Sequence, residues 1–291
     1  MISVLILTKN EEQDLPDCLK SVAWSDDVHL LDSYSTDRTV EIAQAAGARV
    51  TQHRFENWAS HQNWGLSNIS FRYSWVLYVD ADERVTPELA ASLAEVVQQG
   101  GDKVAFRIKR RDFWGDRWLK RVVASSCYLR LFRPQRMRYE RLVNPVSIPD
   151  GPVGEAVGYL DHYPFSKGIT HWFDRHNSYS SFEAQQIEHN RRNNLDFSLK
   201  RALFGKDPNE RRFHQKELFY RMPARPLLRF LLLYVGKRGF LDGSAGFRYA
   251  VLQSLYEYMI VLKTRELTAR PTITLPSGGF KSLHANSRPN N

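Results

Sequence analysis

Residues 75–85, WVLYVDADERV, decide the fold. Trp75 to Val79 are mostly apolar and read as a buried strand. They run straight into Asp80, Ala81, Asp82 and Glu83, and Pro87 then opens a helix-like run. Three carboxylates at the end of a buried strand repel one another and lose hydration, so the pattern calls for a neutralising cation. Hard oxygen ligands favour Mg²⁺ or Mn²⁺, ions that usually share their coordination with substrate phosphates. The stretch therefore reads as a metal site for a diphosphate leaving group. The plainer reading is a solvated acidic turn that caps the next helix through its dipole.

Outward from this stretch, three strand–helix units precede it. Ile2 to Leu7 is a strand of β-branched and apolar residues, followed by Thr8-Lys9-Asn10-Glu11-Glu12 at its carboxyl end, where open α/β sheets bind ligands. Asp14 and Pro16 begin a helix with Leu15, Cys18, Leu19 and Val22 on one face. Val28 to Leu31 is a second buried strand ending in Asp32-Ser33-Tyr34-Ser35-Thr36-Asp37, and the helix after it stops at Gly47. Ala48 to Thr51 is a third strand and Trp58 to Ile69 a helix. The alternation predicts an α/β fold, a mostly parallel sheet with helices on both faces. No glycine-rich loop follows the first strand, which argues against a dinucleotide-binding domain and against a P-loop.

The 291 residues suit one large domain, or one domain with an extension. Two cysteines are too few for a disulfide framework, and a reducing cytosolic setting fits them. The first residues, MISVLILTKNEE, lack a basic region and read as a strand, not a signal peptide. No run of about 18 apolar residues predicts a membrane span. The net charge of +9 is uneven. Residues 1–104 carry eight basic and 16 acidic side chains, whereas 105–195 and 196–267 are each net +7. The acidic part holds the proposed metal site, and the basic remainder suits an anionic partner: phosphates, a lipid surface or nucleic acid.

Four segments, ISVLILTKNEE, VHLLDSYSTDRT, QNWGL and WVLYVDADE, together resemble the nucleotide-sugar half of family 2 glycosyltransferases with the GT-A fold. They occur in order over about the first 90 residues. The resemblance implies that Thr8, Asn10 and Glu11 line the nucleoside pocket and that Asp32 hydrogen-bonds the base, typically uracil, hence a UDP donor. It also implies that Asp80 and Asp82 form the D-x-D pair, with Asp82 the direct ligand of Mn²⁺ or Mg²⁺. Asp32 is a lone strand-end carboxylate able to accept an N–H from a base edge, or to cap the following helix. Asn63 lies where the family places a basic residue followed by Asn near the donor, but here Gln62 precedes it.

Residues 105–165 are expected to serve the acceptor, completing a catalytic domain over 1–165 whose donor half is 1–104. Val104 to Ile108 and Tyr128 to Phe132 read as strands, and KRRDFWGDRWLKR between them offers Trp114 or Trp118 to a saccharide beside cations. Transferases of this kind that modify lipopolysaccharide cores often carry a His-Glu pair after the RLFR strand. Here Asn144-Pro145 stands in that region, which removes an obvious base and an imidazole. An inverting transferase needs a carboxylate to accept the acceptor's proton. Glu140 is taken as that base, with Asp112, Glu155 and Asp161 as alternatives. His162 is read as closing the metal shell or touching the diphosphate, or else as an ordinary histidine. His171, Arg175 and His176 make a polar helical face that suits phosphate or solvent.

Residues 166–267 read as a helical extension and 268–291 as a loose polar tail. Leu218 to Tyr234 mixes Leu and Phe with Arg221, Arg225 and Arg229, and its run LLRFLLLYV suits lying in a membrane interface or packing on a second copy as a homodimer. The sequence therefore predicts an inverting, metal-dependent glycosyltransferase, peripheral on the cytosolic face of a membrane. Its donor is a nucleotide sugar, and its acceptor a saccharide that is lipid-linked or of lipopolysaccharide type. Three other readings are weighed. Nucleotidyl transfer lacks its glycine loop. A nucleic-acid-binding protein leaves the acidic half unexplained and shows no recognised module. A catalytically dead membrane adaptor would release no nucleoside diphosphate.

Overall fold

Ser3–Thr8 is buried along its whole length, as a central strand covered on both faces must be. The structure is a computed structural model that describes residues 1–99, 101–123, 127–140, 145–192, 197–205 and 208–269. Its first half alternates β1 (Ser3–Thr8), α1 (Leu15–Ser21), β2 (Val28–Asp32), α2 (Thr39–Ala45), β3 (Arg49–Gln52), α3 (Trp58–Asn68) and β4 (Val76–Asp80). These four strands are parallel, and Thr8 pairs with Asp32 while Leu7 pairs with Asp80. Gln52, Asp32, Thr8 and Asp80 therefore share one carboxyl edge.

The chain continues through β5 (Glu83–Val85), α4 (Pro87–Gln99), β6 (Ala105–Trp114), β7 (Arg117–Trp118), β8 (Cys127–Phe132), β9 (Met137–Glu140), β10 (Val146–Pro149) and β11 (Val153–His162). Among the described residues the main sheet runs β3-β2-β1-β4-β8-β6-β11-β5, with β7 paired on β6. Its second half is mixed, antiparallel at β4–β8, β8–β6 and β11–β5 and parallel at β6–β11. The sheet curls, so the turn after β4 leads directly into β5 on the far edge. Helices α1, α2 and α4 cover one face over Val4, Ile6 and Leu77. Helix α3 and strand β9 cover the other over Leu5, Leu7 and Tyr78, as the period-two alternation of each strand requires.

Gly158 marks an irregularity in β11, between Glu155 and Tyr159. Its φ is +100°, and a Cβ there would lie 2.6 Å from the backbone nitrogen of Leu89. Only glycine lets α4 approach β11 this closely.

The C-terminal region is helical: α5 (Gly168–Arg192), α6 (Leu199–Phe204), α7 (Pro208–Arg221), α8 (Arg225–Leu231) and α9 (Gly243–Ala269), with a π turn over Leu232–Gly236. Helix α9 runs parallel to α5, with Tyr256 against His176 and Thr268 bonded to Glu188, and donates Lys263 to Asn177 and Ser180. The buried pair Arg225–Glu257, 2.6 Å, ties α8 to α9. The helices are anchored to the segment after β7 by Asp242, which accepts from the backbone N–H of Arg121 and Val122, each at 2.8 Å. Leu119 and Val122 pack there against Leu233, Ala245 and Ala250.

Candidate active site

The loops at the carboxyl edge are tied to each other. Asn10 adopts φ +57°, donates its N–H to Ser35 Oγ (2.8 Å) and accepts from the N–H of Thr36 (2.8 Å). Glu11 N–H donates to Thr39 Oγ1 at 2.7 Å. Asp32 is wholly buried. One of its oxygens accepts from Thr8 Oγ1 (3.0 Å) and Ser35 Oγ, and the other from Ser35 N–H (2.9 Å) and Gln52 (2.9 Å). Burial works against its charge, but the bonds from Ser35, Gln52 and Thr8 outweigh that and hold its carboxyl below the usual range. Its four acceptor positions are filled by the protein, so here it organises the loop instead of presenting a free oxygen to a base.

Asn63 is likewise committed. Its amide both donates to the carbonyl of Tyr139 and accepts from Tyr139 N–H, each at 2.8 Å, which pins β9 on α3. The sequence placed Asn63 at the donor; the structure spends both ends of its amide on the backbone of a neighbouring strand.

The ionic centre lies where β4, β5, β6, β8 and β11 meet. The carboxylate of Asp80 accepts from Arg130 at 2.5 Å and from the Tyr78 hydroxyl. The same Nη2 of Arg130 donates to Glu83 at 2.8 Å, and Arg110 lies 3.6 Å from Glu83. This corrects one expectation. The acidic cluster is neutralised in large part by arginines on β6 and β8, so Asp80 and Glu83 need no metal to be buried, and Asp80 points to Arg130.

Asp82 is placed differently. Its Oδ2 lies 3.2 Å from His162 Nε2 and 3.9 Å from Arg175 on α5. The other ring nitrogen, Nδ1, bonds Asp112 Oδ1 at 2.5 Å. Strand register produces this row, because β11 aligns His162 with Glu83 on one side and with Asp112 on the other. Burial would lower the His162 pKa, but Asp82 and Asp112 outweigh it and push it up to about 9. Burial likewise opposes ionisation of Asp82, yet His162, Arg175 and Arg110 hold its carboxyl well below the usual range. The structure thus brings together Asp82 and His162, which the sequence read as metal ligands.

The turn bearing Asp82 is held from behind. Arg84 donates to the carbonyls of Ala81 (2.8 Å) and Glu83 (3.0 Å), and Tyr163 N–H donates to that of Asp82 (2.9 Å). Arg84 and Tyr163 line a groove of about 640 Å³ there, with Asp14 and Asp17. Glu11 sits at the rim of the site and pairs with Lys167 at 2.7 Å. Burial, only partly offset by Lys167 and reinforced by the charge of Asp82, pushes its carboxyl up to about 7.

The donor set fits a divalent ion. Asp82 offers a carboxylate, and His162 an imidazole once an arriving ion displaces its proton, while Asp112 stands behind the ring with its Oδ2 buried and unpartnered. A carboxylate behind a histidine is the usual support of a metal-ligating imidazole. Among the described residues no three metal-ligating side chains converge, so such an ion would draw further ligands from water or substrate, as Mg²⁺ and Mn²⁺ commonly do.

Of the carboxylates named as a possible base, Asp112 is bound to His162 and Arg110. Asp161 is gripped by Arg111 through two bonds of 2.6 and 2.8 Å. Glu155 is exposed at the start of β11. Glu140, at the end of β9, is more than half exposed and pairs at the surface with Arg138 at 3.1 Å. Asn144 lies outside the described residues. Trp114 packs on Phe165 under the helices, while Trp118 stays half-buried beside Arg111. Sequence reasoning missed Arg110 and Arg130. The signal was present in YLRLF, where a charge sits inside an otherwise apolar strand.

Residues 3–154 match the family model described as glycosyl transferase family 2. Over nearly the whole chain the sequence is similar to the lipopolysaccharide core biosynthesis glycosyltransferase LpsC of Rhizobium meliloti, 28% identical over 94% of this chain and 96% of that protein. It is 32% identical to the undecaprenyl-phosphate 4-deoxy-4-formamido-L-arabinose transferase of Pseudomonas paraeruginosa, over 42% of this chain and 40% of that one. Among solved structures it is similar to the glucosyl-3-phosphoglycerate synthase of Mycobacterium tuberculosis in complex with Mn²⁺, UDP and glucosyl-3-phosphoglycerate. The likeness there is 24% identity with a TM-score of 0.32, over 39% of this chain and 43% of that chain.

Proposed function

Because the chain belongs to glycosyl transferase family 2 and is a glycosyltransferase of the GT-A fold, we propose that it is an inverting enzyme of cell-envelope glycan synthesis. It moves a sugar from a nucleotide donor, UDP-linked by the family resemblance, to a saccharide that is lipid-linked or of lipopolysaccharide type. The observation that carries this reading is the Asp82–His162–Asp112 row at the carboxyl edge of the sheet, beside loops already fixed by Asn10 and Asp32.

Asp82 and His162 would hold Mn²⁺ or Mg²⁺, and Asp112 would orient His162. The bound ion supplies positive charge to the leaving diphosphate. The protein does the rest. Thr8, Asn10 and Glu11 shape the nucleoside side of the cleft. Glu140 takes the acceptor's proton, because Asp112 is locked in a buried network with His162 and Arg110 and Asp161 in a half-buried two-bond pair with Arg111, whereas the exposed Arg138–Glu140 pair costs little to break, about 0–1 kcal/mol.

The acceptor side faces a surface suited to lipid. Leu227, Leu231, Leu232, Val235, Phe240 and Phe247 are exposed on α8, the π turn, a short 3₁₀ turn over Gly239–Asp242 and the start of α9, near Arg229, Lys237 and Arg238. Apolar side chains edged by cations are the composition of an interfacial anchor. No described helix is long and apolar enough to cross a membrane, so the contact would be peripheral.

A thermal-shift screen of nucleoside diphosphates with and without Mn²⁺ tests the reading. One nucleotide should stabilise the protein, with a metal-dependent increment that Asp82→Ala removes. No shift with any nucleotide and no metal-dependent donor hydrolysis would overturn it.

A further inference from the structure

Lys167, just ahead of α5, is followed at four-residue spacing by His171, Arg175 and Tyr179, and this face of the helix lies over the Asp82 turn. Arg175 differs from the other arginines of the centre. Arg111 and the Nη2 of Arg130 bond carboxylates at 2.5–2.8 Å and Arg110 lies 3.2 Å from Asp112, although the Nε of Arg130 and of Arg110 is also buried without a partner. Arg175 makes no hydrogen bond among the described residues. It reaches Asp82 at 3.9 Å, beyond hydrogen-bonding distance, and its Nε is buried with no partner. A guanidinium carries five N–H donors in a fixed planar fork. This one neutralises a carboxylate across a gap and leaves its fork unspent.

We infer that Arg175 is a substrate-binding residue that trades Asp82 for the donor's diphosphate. This role of Arg175 rests on Asp82 holding a divalent ion with the donor's diphosphate. A divalent ion arriving at Asp82 and the Arg175 guanidinium compete for one carboxylate, and at this separation they repel. The diphosphate removes the conflict, since its oxygens accept the planar fork in paired, charge-assisted bonds. Arg175 thus opposes the bare ion and favours the ion with its diphosphate. It couples the two, so that metal and donor enter together.

The two effects have opposite signs, which a merely structural arginine would not produce. Calorimetric titrations compare the wild type, Arg175→Ala and Arg175→Lys, first with Mn²⁺ alone and then with inorganic pyrophosphate or UDP at saturating Mn²⁺. In Arg175→Ala, Mn²⁺ alone should bind several-fold more tightly, while the diphosphates should bind about tenfold or more weakly, the scale of a lost charge-assisted bond. Arg175→Lys, a point charge without the fork, should recover the weak metal binding and only part of the diphosphate affinity. If Arg175→Ala melts early without ligand, Arg175→Gln, which keeps much of the stem, carries the same comparison. No change in either affinity, or a shift of both in one direction, overturns the inference and leaves the metal–diphosphate site standing. A wild type that binds neither Mn²⁺ nor any diphosphate removes that site and this inference with it.

Discussion

His162 Nδ1 lies 2.5 Å from Asp112 Oδ1, although the two residues are fifty positions apart and on different strands. The bond orients the imidazole so that Nε2 faces Asp82. Asp112→Asn keeps the shape but removes the charge behind the ring. Loss of such a support typically weakens metal binding about 10–100-fold. Mn²⁺ titration should show that loss, and the His162 pKa, followed by NMR, should drop from about 9.

Arg130 neutralises Asp80 and Glu83 with a single nitrogen. Arg130→Met would strand two carboxylates, one of them wholly buried. Breaking a buried pair by removing one partner costs about 3–5 kcal/mol, and chemical denaturation should register it. Adding Glu83→Gln should restore part of the stability, because it removes a stranded charge.

Glu11 gives a pH signature with a definite sign. Its pKa is about 7 in the fold against 4.5 for an exposed side chain. The folded chain therefore holds an extra proton between those values, and stability falls as pH rises through that window. Glu11→Gln removes the ionisation. The stability of the wild type relative to this variant should decline by on the order of 2 kcal/mol between pH 4.5 and 7.5. Paired denaturation curves across that range check it, and a flat difference would count against the assignment.

Glu140→Gln tests the proposed base. A lost general base typically costs about 10²–10⁴ in rate. The loss should fall on kcat, with donor affinity and melting temperature unchanged, since Glu140 is exposed and bonded to Arg138. An unchanged kcat would move the role to another carboxylate.

The four parallel strands of the first half were legible because each is a short apolar run closed by a polar turn, and the first three are each followed by a helix. Strand β11 was not. VGEAVGYLDH carries two glycines and no clean alternation, because Gly158 accommodates close contact with α4 and breaks the period. Strand β5 is three residues hidden in an acidic run. With both unseen, the pairing that brings His162 to Asp82 could not be derived, although each residue was singled out. The partners that Asp32 and Asn63 bond within the fold were not legible for a related reason. Sequence shows which groups can bond, but a nearby backbone N–H or hydroxyl competes for them, and that competition is settled only by packing.

The register of β5 on β11 has an evolutionary consequence. Because neighbouring side chains of a strand face opposite ways, a one-residue shift there would exchange Asp82 with Glu83, swapping the cleft-facing acid for the one buried against arginine. Insertions and deletions between residues 80 and 85 should accordingly be purged from descendants of this gene, while the exposed turn at Gly115–Asp116 drifts freely in length.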